Sequence, residues 1–204
     1  MPIAPASDPT PAPTCATPGT SVLFWRGTAN ASLERLALHV AHDGITASST
    51  VIGLEGGGFQ LTHRWRITPD WRTQSVEVER WNANGHRRLA LERNGSGWTV
   101  DGKPRTDLDG AEEPDLSATP FCNTFPILRT PLSTGKSLRL ETAFIDALEW
   151  TVTRSRQRYD RLGPRQLRYV DLGLFRGFEA LLTVDANGFV ERYEGLFERI
   201  RPAS

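Results

Sequence analysis

Lysine is nearly missing from this chain of 204 residues: two lysines stand against 22 arginines, and with 24 acidic residues the formal net charge is zero. No global field therefore favours nucleic acid or an anionic membrane surface, and any charge-driven binding has to be local. Cysteine is as sparse. Cys15 and Cys122 are too few for a disulfide framework and too far apart for metal-ligand spacing, so a reducing compartment, the cytoplasm, is the expected location. Long apolar runs are missing too, and no stretch approaches the length of a membrane span. The first residues hold no basic side chain and no apolar run before Val22, the reverse of a secretory signal. No segment shows helical periodicity over three turns, and no repeat is evident.

What is present is alternation. In "ERLALHVAH" Leu36, Leu38 and Val40 share one face, and in "FQLTHRWRI" Phe59, Leu61, Trp65 and Ile67 do the same against Gln60, Thr62, Arg64 and Arg66. "SVEVERW" and "RRLALER" flank an Asn-Gly pair suited to a tight hairpin, and "SLRLETAFI", "RQLRYVDL" and "FVERYEGLF" continue the pattern. Residues 1–20 carry six of the fourteen prolines and no aromatic residue, and are read as a disordered leader. Residues 21–201 are read as a single all-β domain. Its ten to twelve antiparallel strands are too many for a flat sheet, so one sheet curled into a barrel or half-barrel is expected.

One stretch breaks the rhythm. "DLSATPFCNTFPILR", residues 115–129, contains Pro120 and Pro126 and reads as neither strand nor helix. Leu116, Phe121, Phe125, Ile127 and Leu128 make it too apolar for an open loop. The segment near 109–129 is therefore expected to cross the curved sheet as a filler or lid.

Chemistry is harder to find. His39, His42, His63 and His86 fall in no nucleophile, zinc or phosphate motif, so no catalytic residue, metal site or cofactor is assigned. Asp109 and Asp115 are spaced for an acid/base pair, although turn capping is the far commoner role of Asp. Arg154, Arg156 and Arg158 share one face of a strand and suit an anionic head group, or equally a solvated outer face. Of six tryptophans, one or two, with Trp71 and Trp98 as candidates, are expected to border a cavity.

"PDWRTQSVEV", "GWTVDG", "LDGAEEPDL", "TPFCNTFPILR", "QRYDRL" and "RYEGLFERI" together resemble a bacterial family of glycolipid-binding proteins, over nearly everything from Trp25 to Ile200. The resemblance implies a curved antiparallel fold akin to lipoprotein-carrier half-barrels, with no established enzymatic activity. Carried over from the motifs, Asp115, Thr119, Asn123, Thr124 and Arg129 line a shared site with Gln157, Arg158 and Tyr159. The same polar groups also serve to pin a buried irregular segment, with Asn123 bonding main chain and Arg129 pairing with an acid such as Asp109. Ala111 and Cys122 depart from the family pattern, where cysteine and threonine are expected.

The expected function is non-enzymatic binding of a lipid, glycolipid or similar amphipathic molecule in the concave face. The alternatives are a hydrolase using Asp109 or Asp115, and a protein–protein interaction scaffold, with a homodimer as one form of it. Nucleic acid is not an expected partner.

Overall fold

The computed structural model describes residues 18–202, so most of the expected leader at 1–20 lies outside the described residues. Fifteen strands make one continuous sheet. The first half comprises β1 (Gly19–Gly27), β2 (Ser32–Val40), β3 (Ile45–Gly53), β4 (Phe59–Ile67), β5 (Thr73–Asn82), β6 (Gly85–Asn94), β7 (Gly97–Val100) and β8 (Lys103–Pro104). β9 (Glu113–Leu116) and the short helix α1 (Thr124–Arg129) follow. The second half comprises β10 (Ser137–Asp146), β11 (Thr151–Gly163), β12 (Gln166–Asp171), β13 (Glu179–Val184), β14 (Val190–Tyr193) and β15 (Phe197–Ile200).

Nearly every strand pairs with its chain neighbour. β1 also pairs with β15, which joins the two halves, and β8 and β9 are left as the edges. All pairings are antiparallel except that of β9 with β10, which is parallel. The all-β, curled single sheet agrees with the sequence reading, but fifteen strands replace the expected ten to twelve. The excess lies in pieces of two to four residues, β7, β8, β9, β14 and β15, too short to show an alternation. β1 begins at Gly19, two residues before the expected start of the domain.

Alternation decides what faces inward. Leu36, Leu38 and Val40 of β2, Leu61, Trp65 and Ile67 of β4, and Val76 and Val78 of β5 are all buried. They form one core cluster with Trp25, Phe121 and Phe125, while Tyr159, Leu167, Tyr169, Leu182 and Tyr193 form a second cluster under the other half of the sheet. The same faces carry charges that alternation does not announce. Glu34 sits among them at 2% exposure, accepting bonds from Ser49 Oγ at 2.7 Å and His63 Nε2 at 3.0 Å, and His63 Nδ1 accepts from Trp65 Nε1 at 2.7 Å.

The expected structureless crosspiece is in fact a strand, a 3-10 turn at Phe121–Asn123 and a helix. Proline is compatible with each. Pro114 lies in an edge strand, where a missing donor is tolerated, and Pro126 lies in the first turn of α1, where its N–H would have no helical acceptor. The segment runs inside the curl rather than over its mouth. Phe121 and Phe125 stack edge-on at 5.0 Å and pack on Trp65, while Ile127 reaches the second cluster.

The edges of the sheet meet without a ladder. Trp98 Nε1 donates to Ala111 O at 2.9 Å, Thr73 N donates to Glu113 Oε2 at 3.0 Å, and Arg93 reaches both Thr73 O and Glu112 O. Arg129 pairs with Glu113 and, at 3.0 Å, with Glu112. Arg129 therefore closes this seam, paired with an acid as expected, the acids being Glu112 and Glu113 rather than Asp109.

Candidate functional site

Inside the curl the crosspiece leaves part of the volume unfilled, a cavity of about 490 Å³. Its floor comes from the crosspiece: Asp115, Leu116, Thr119 and Asn123. Its wall is aromatic, with Phe144 of β10, Tyr169 of β12, Tyr193 of β14 and Phe197 of β15, together with Phe175 and Phe178 from the loop between β12 and β13. The rim is formed by the β1–β2 turn at residues 28–31, Glu55 after β3, and Leu148 after β10. Gly53, at the end of β3, lacks the Cβ that would collide with the ring of Phe59, and both line the cavity. Arg80 fixes the far rim, donating from Nη1 to Ala147 O at 2.5 Å and to Leu148 O at 2.6 Å.

The polar floor is a connected set. Asp115 Oδ2 accepts from Gln157 Nε2. Tyr159 Oη lies 2.8 Å from Asn123 Oδ1 and 3.3 Å from Gln157 Oε1, and its one proton belongs to the shorter contact. Asn123 Nδ2 donates to Pro120 O at 3.2 Å, and Thr119 Oγ1 accepts from Phe121 N at 3.1 Å. Asp171, the cross-strand neighbour of Gln157, accepts from Gly173 N at 2.8 Å and Phe175 N at 2.9 Å, which fixes the loop carrying Phe175.

Charge in the cavity has one sign. Glu55, Asp115, Asp146 and Asp171 line it, and none of the described lining residues is Arg, Lys or His. Loss of water around Asp115 raises its pKa to about 6, the Gln157 bond opposes the rise, and the nearby Asp171 charge adds to it. Burial likewise holds the hydroxyls of Tyr159, Tyr169 and Tyr193 protonated far above the usual tyrosine range.

The residues assigned from sequence divide into three groups. Asp115, Thr119 and Asn123 line the cavity, and Gln157 and Tyr159 stand one hydrogen bond behind them. Thr124 is buried in α1, Arg129 belongs to the seam, and Trp71 and Trp98 are core. Arg158 lies outward, pairing with Asp160 at 2.9 Å, because alternation in β11 sends it opposite to Gln157 and Tyr159.

Arg154 and Arg156 share that outer, exposed face, so the arginine stripe faces solvent and not the cavity. Asp109 is exposed and lies outside the cavity, apart from Asp115. Sequence reasoning missed Tyr169, Asp171 and Tyr193. The signal was present in "RQLRYVDL", where period two puts Leu167, Tyr169 and Asp171 on one face.

Among the described residues no group of three or more His, Cys, Asp or Glu could hold a metal ion, and no helix is long and apolar enough to cross a membrane. Cys122 is buried, its Sγ accepting from Leu116 N at 3.2 Å, and burial, then the Asp115 charge, push its thiol well above the usual range. It is a packing residue of the floor rather than a nucleophile.

Comparison with known proteins places this geometry. The family described as "Putative glycolipid-binding" matches residues 22–199. The crystal structure of a DUF1089-family protein from Pseudomonas aeruginosa is similar at 32% identity and a TM-score of 0.73, over 82% of this chain and 92% of that one. A β-barrel-like protein of the DUF1849 domain from Brucella abortus shares the fold alone, at 9% identity and a TM-score of 0.50, over 90% of this chain and 96% of that one. No curated protein matches the chain.

Proposed function

From a chain that belongs to the family described as "Putative glycolipid-binding", we propose a non-enzymatic protein that binds a lipid, glycolipid or similar amphipathic molecule in the concave face of its curled sheet. The observation that carries this reading is the cavity of about 490 Å³, with rings for a wall and a hydrogen-bonding floor. That size falls within the range of small-molecule sites, roughly 300–1,000 Å³, which combine an apolar lining with a few placed polar groups. Each CH₂ taken from water contributes about 0.8 kcal/mol, so a chain of about ten carbons gains useful affinity before its head group makes any contact. Phe175, at 53% exposure, offers an apolar lip to the incoming chain. Asp109, at the surface away from Asp115, does not form with it the carboxylate pair of the alternative hydrolase.

The test is solvent extraction of protein purified under non-denaturing conditions, followed by mass spectrometry, with Ala31→Trp at the exposed rim as the obstructed control. The expected result is an amphipathic molecule in near-stoichiometric amount with the native chain and a much smaller amount with the variant. If the native chain yields no such molecule and also fails to bind dodecyl amphiphiles in titration, the reading falls.

A further inference from the structure

Two of the other buried carboxylates have guanidinium neighbours, and a third, Glu34, is bonded by Ser49 and His63 instead. Glu113 has Arg129 and Arg93, and Asp160 has Arg158 and Arg168. Asp115 and Asp171 have none among the described residues, although the chain carries 22 arginines. Gln157 stands between them, bonded to Asp115 and paired across the ladder with Asp171, and supplies dipole without charge. Two neighbouring carboxylates, Asp171 buried and Asp115 half-buried, are unfavourable without a counter-charge, and they are tolerated where something else supplies the positive charge.

The wall points the same way. Tyr169 lies 5.6 Å from Tyr193, Phe178 lies 6.4 Å from Tyr193, and Phe144 lies 5.4 Å from Phe175, all with rings tilted or edge-on. Ring faces carry negative potential and attract organic cations within about 6 Å. An anionic head group would meet carboxylates on the floor and no guanidinium among the described lining residues. A neutral sugar would satisfy the acceptors but leave both charges uncompensated.

Resting on the cavity reading above, we propose that the polar end of the ligand carries a protonated amine, held between the Asp115 and Asp171 carboxylates and the surrounding rings. An alkylamine and an amino sugar share this chemistry.

Four amphiphiles with one twelve-carbon tail separate the possibilities when titrated below their micelle concentrations: dodecylammonium, dodecyl 2-amino-2-deoxyglucoside, dodecyl maltoside and dodecyl phosphate. At least one of the two amines is expected to bind about tenfold or more tightly than the maltoside, with the phosphate weakest. Which amine leads identifies the source as a simple amine or an amino sugar. Asp115→Asn is expected to reduce the amine-to-maltoside ratio several-fold, and Phe178→Leu, which removes a ring while keeping an apolar side chain, is expected to reduce it as well. Equal binding of all four heads, or preference for maltoside or phosphate, overturns the amine assignment and leaves the cavity reading intact. Binding of none overturns both.

Discussion

Asp115 keeps its proton to a higher pH in the fold than in the unfolded chain, and this has a sign that can be measured. Its pKa is about 6 in place of the usual 3.8, so between those values the folded state binds more protons than the unfolded one. Its contribution to stability is therefore most favourable below about pH 4, falls as pH rises to about 6, and is flat beyond. Asp115→Asn removes that fall. The variant is expected to be more stable than the parent by about 1–3 kcal/mol at pH 7.5 and equal to it near pH 4, as read from urea midpoints at the two pH values. An equal difference at both pH values would mean that desolvation of this carboxylate is not what Asn relieves. A destabilising acid at the floor of a cavity is what a binding site carries at the expense of its scaffold.

At the scale of elements, the seam and the outer face make opposite use of arginine. Arg129 is at 8% side-chain exposure against Glu113 at 2%, and burial raises the Glu113 pKa while the Arg129 charge opposes the rise. Arg129→Ala leaves that carboxylate buried with only Arg93 near it, and is expected to cost about 3 kcal/mol. Arg154→Ala on the outer face of β11, whose partner Glu141 is partly solvated, is expected to cost less than about 1 kcal/mol in the same denaturation experiment. Within the floor, Tyr159→Phe strips Asn123 Oδ1 of its donor, with an expected loss of about 1–2 kcal/mol.

Sequence made the inward faces of the long strands legible, because period two places side chains without reference to distant contacts. It left the crosspiece unassigned, since a four-residue parallel strand and a six-residue helix are formed by tertiary neighbours rather than by local pattern. It grouped Gln157, Arg158 and Tyr159 as one set, although alternation within β11 already required Arg158 to part from the other two. The burial of Glu34 and Arg80 was not legible, because their partners, His63 and the carbonyls of Ala147 and Leu148, are distant in the chain.

At the scale of the molecule, a sheet with two free edges is held in its curl by the β1–β15 ladder on one side and by side chains across the seam on the other. The crosspiece sets how far the interior can collapse, with Phe121 and Phe125 filling one half and Asp115 and Asn123 facing the space that remains. A cavity held open in this way before any ligand arrives ties occupancy directly to global stability. A ligand that binds only the folded chain stabilises it by RT ln(1 + [L]/Kd), about 2.7 kcal/mol at a hundredfold excess over Kd. For a domain of this length that corresponds to a rise in Tm of roughly 5–10 °C. The preferred dodecyl amphiphile is expected to produce this rise in scanning calorimetry, scaling with the logarithm of its concentration. Ala31→Trp, which obstructs the rim without touching the core, is expected to unfold at the parent temperature and show little rise with the same ligand. A parent whose Tm stays fixed while the ligand binds elsewhere on the surface would separate binding from the cavity and remove the basis for reading the curl as a container.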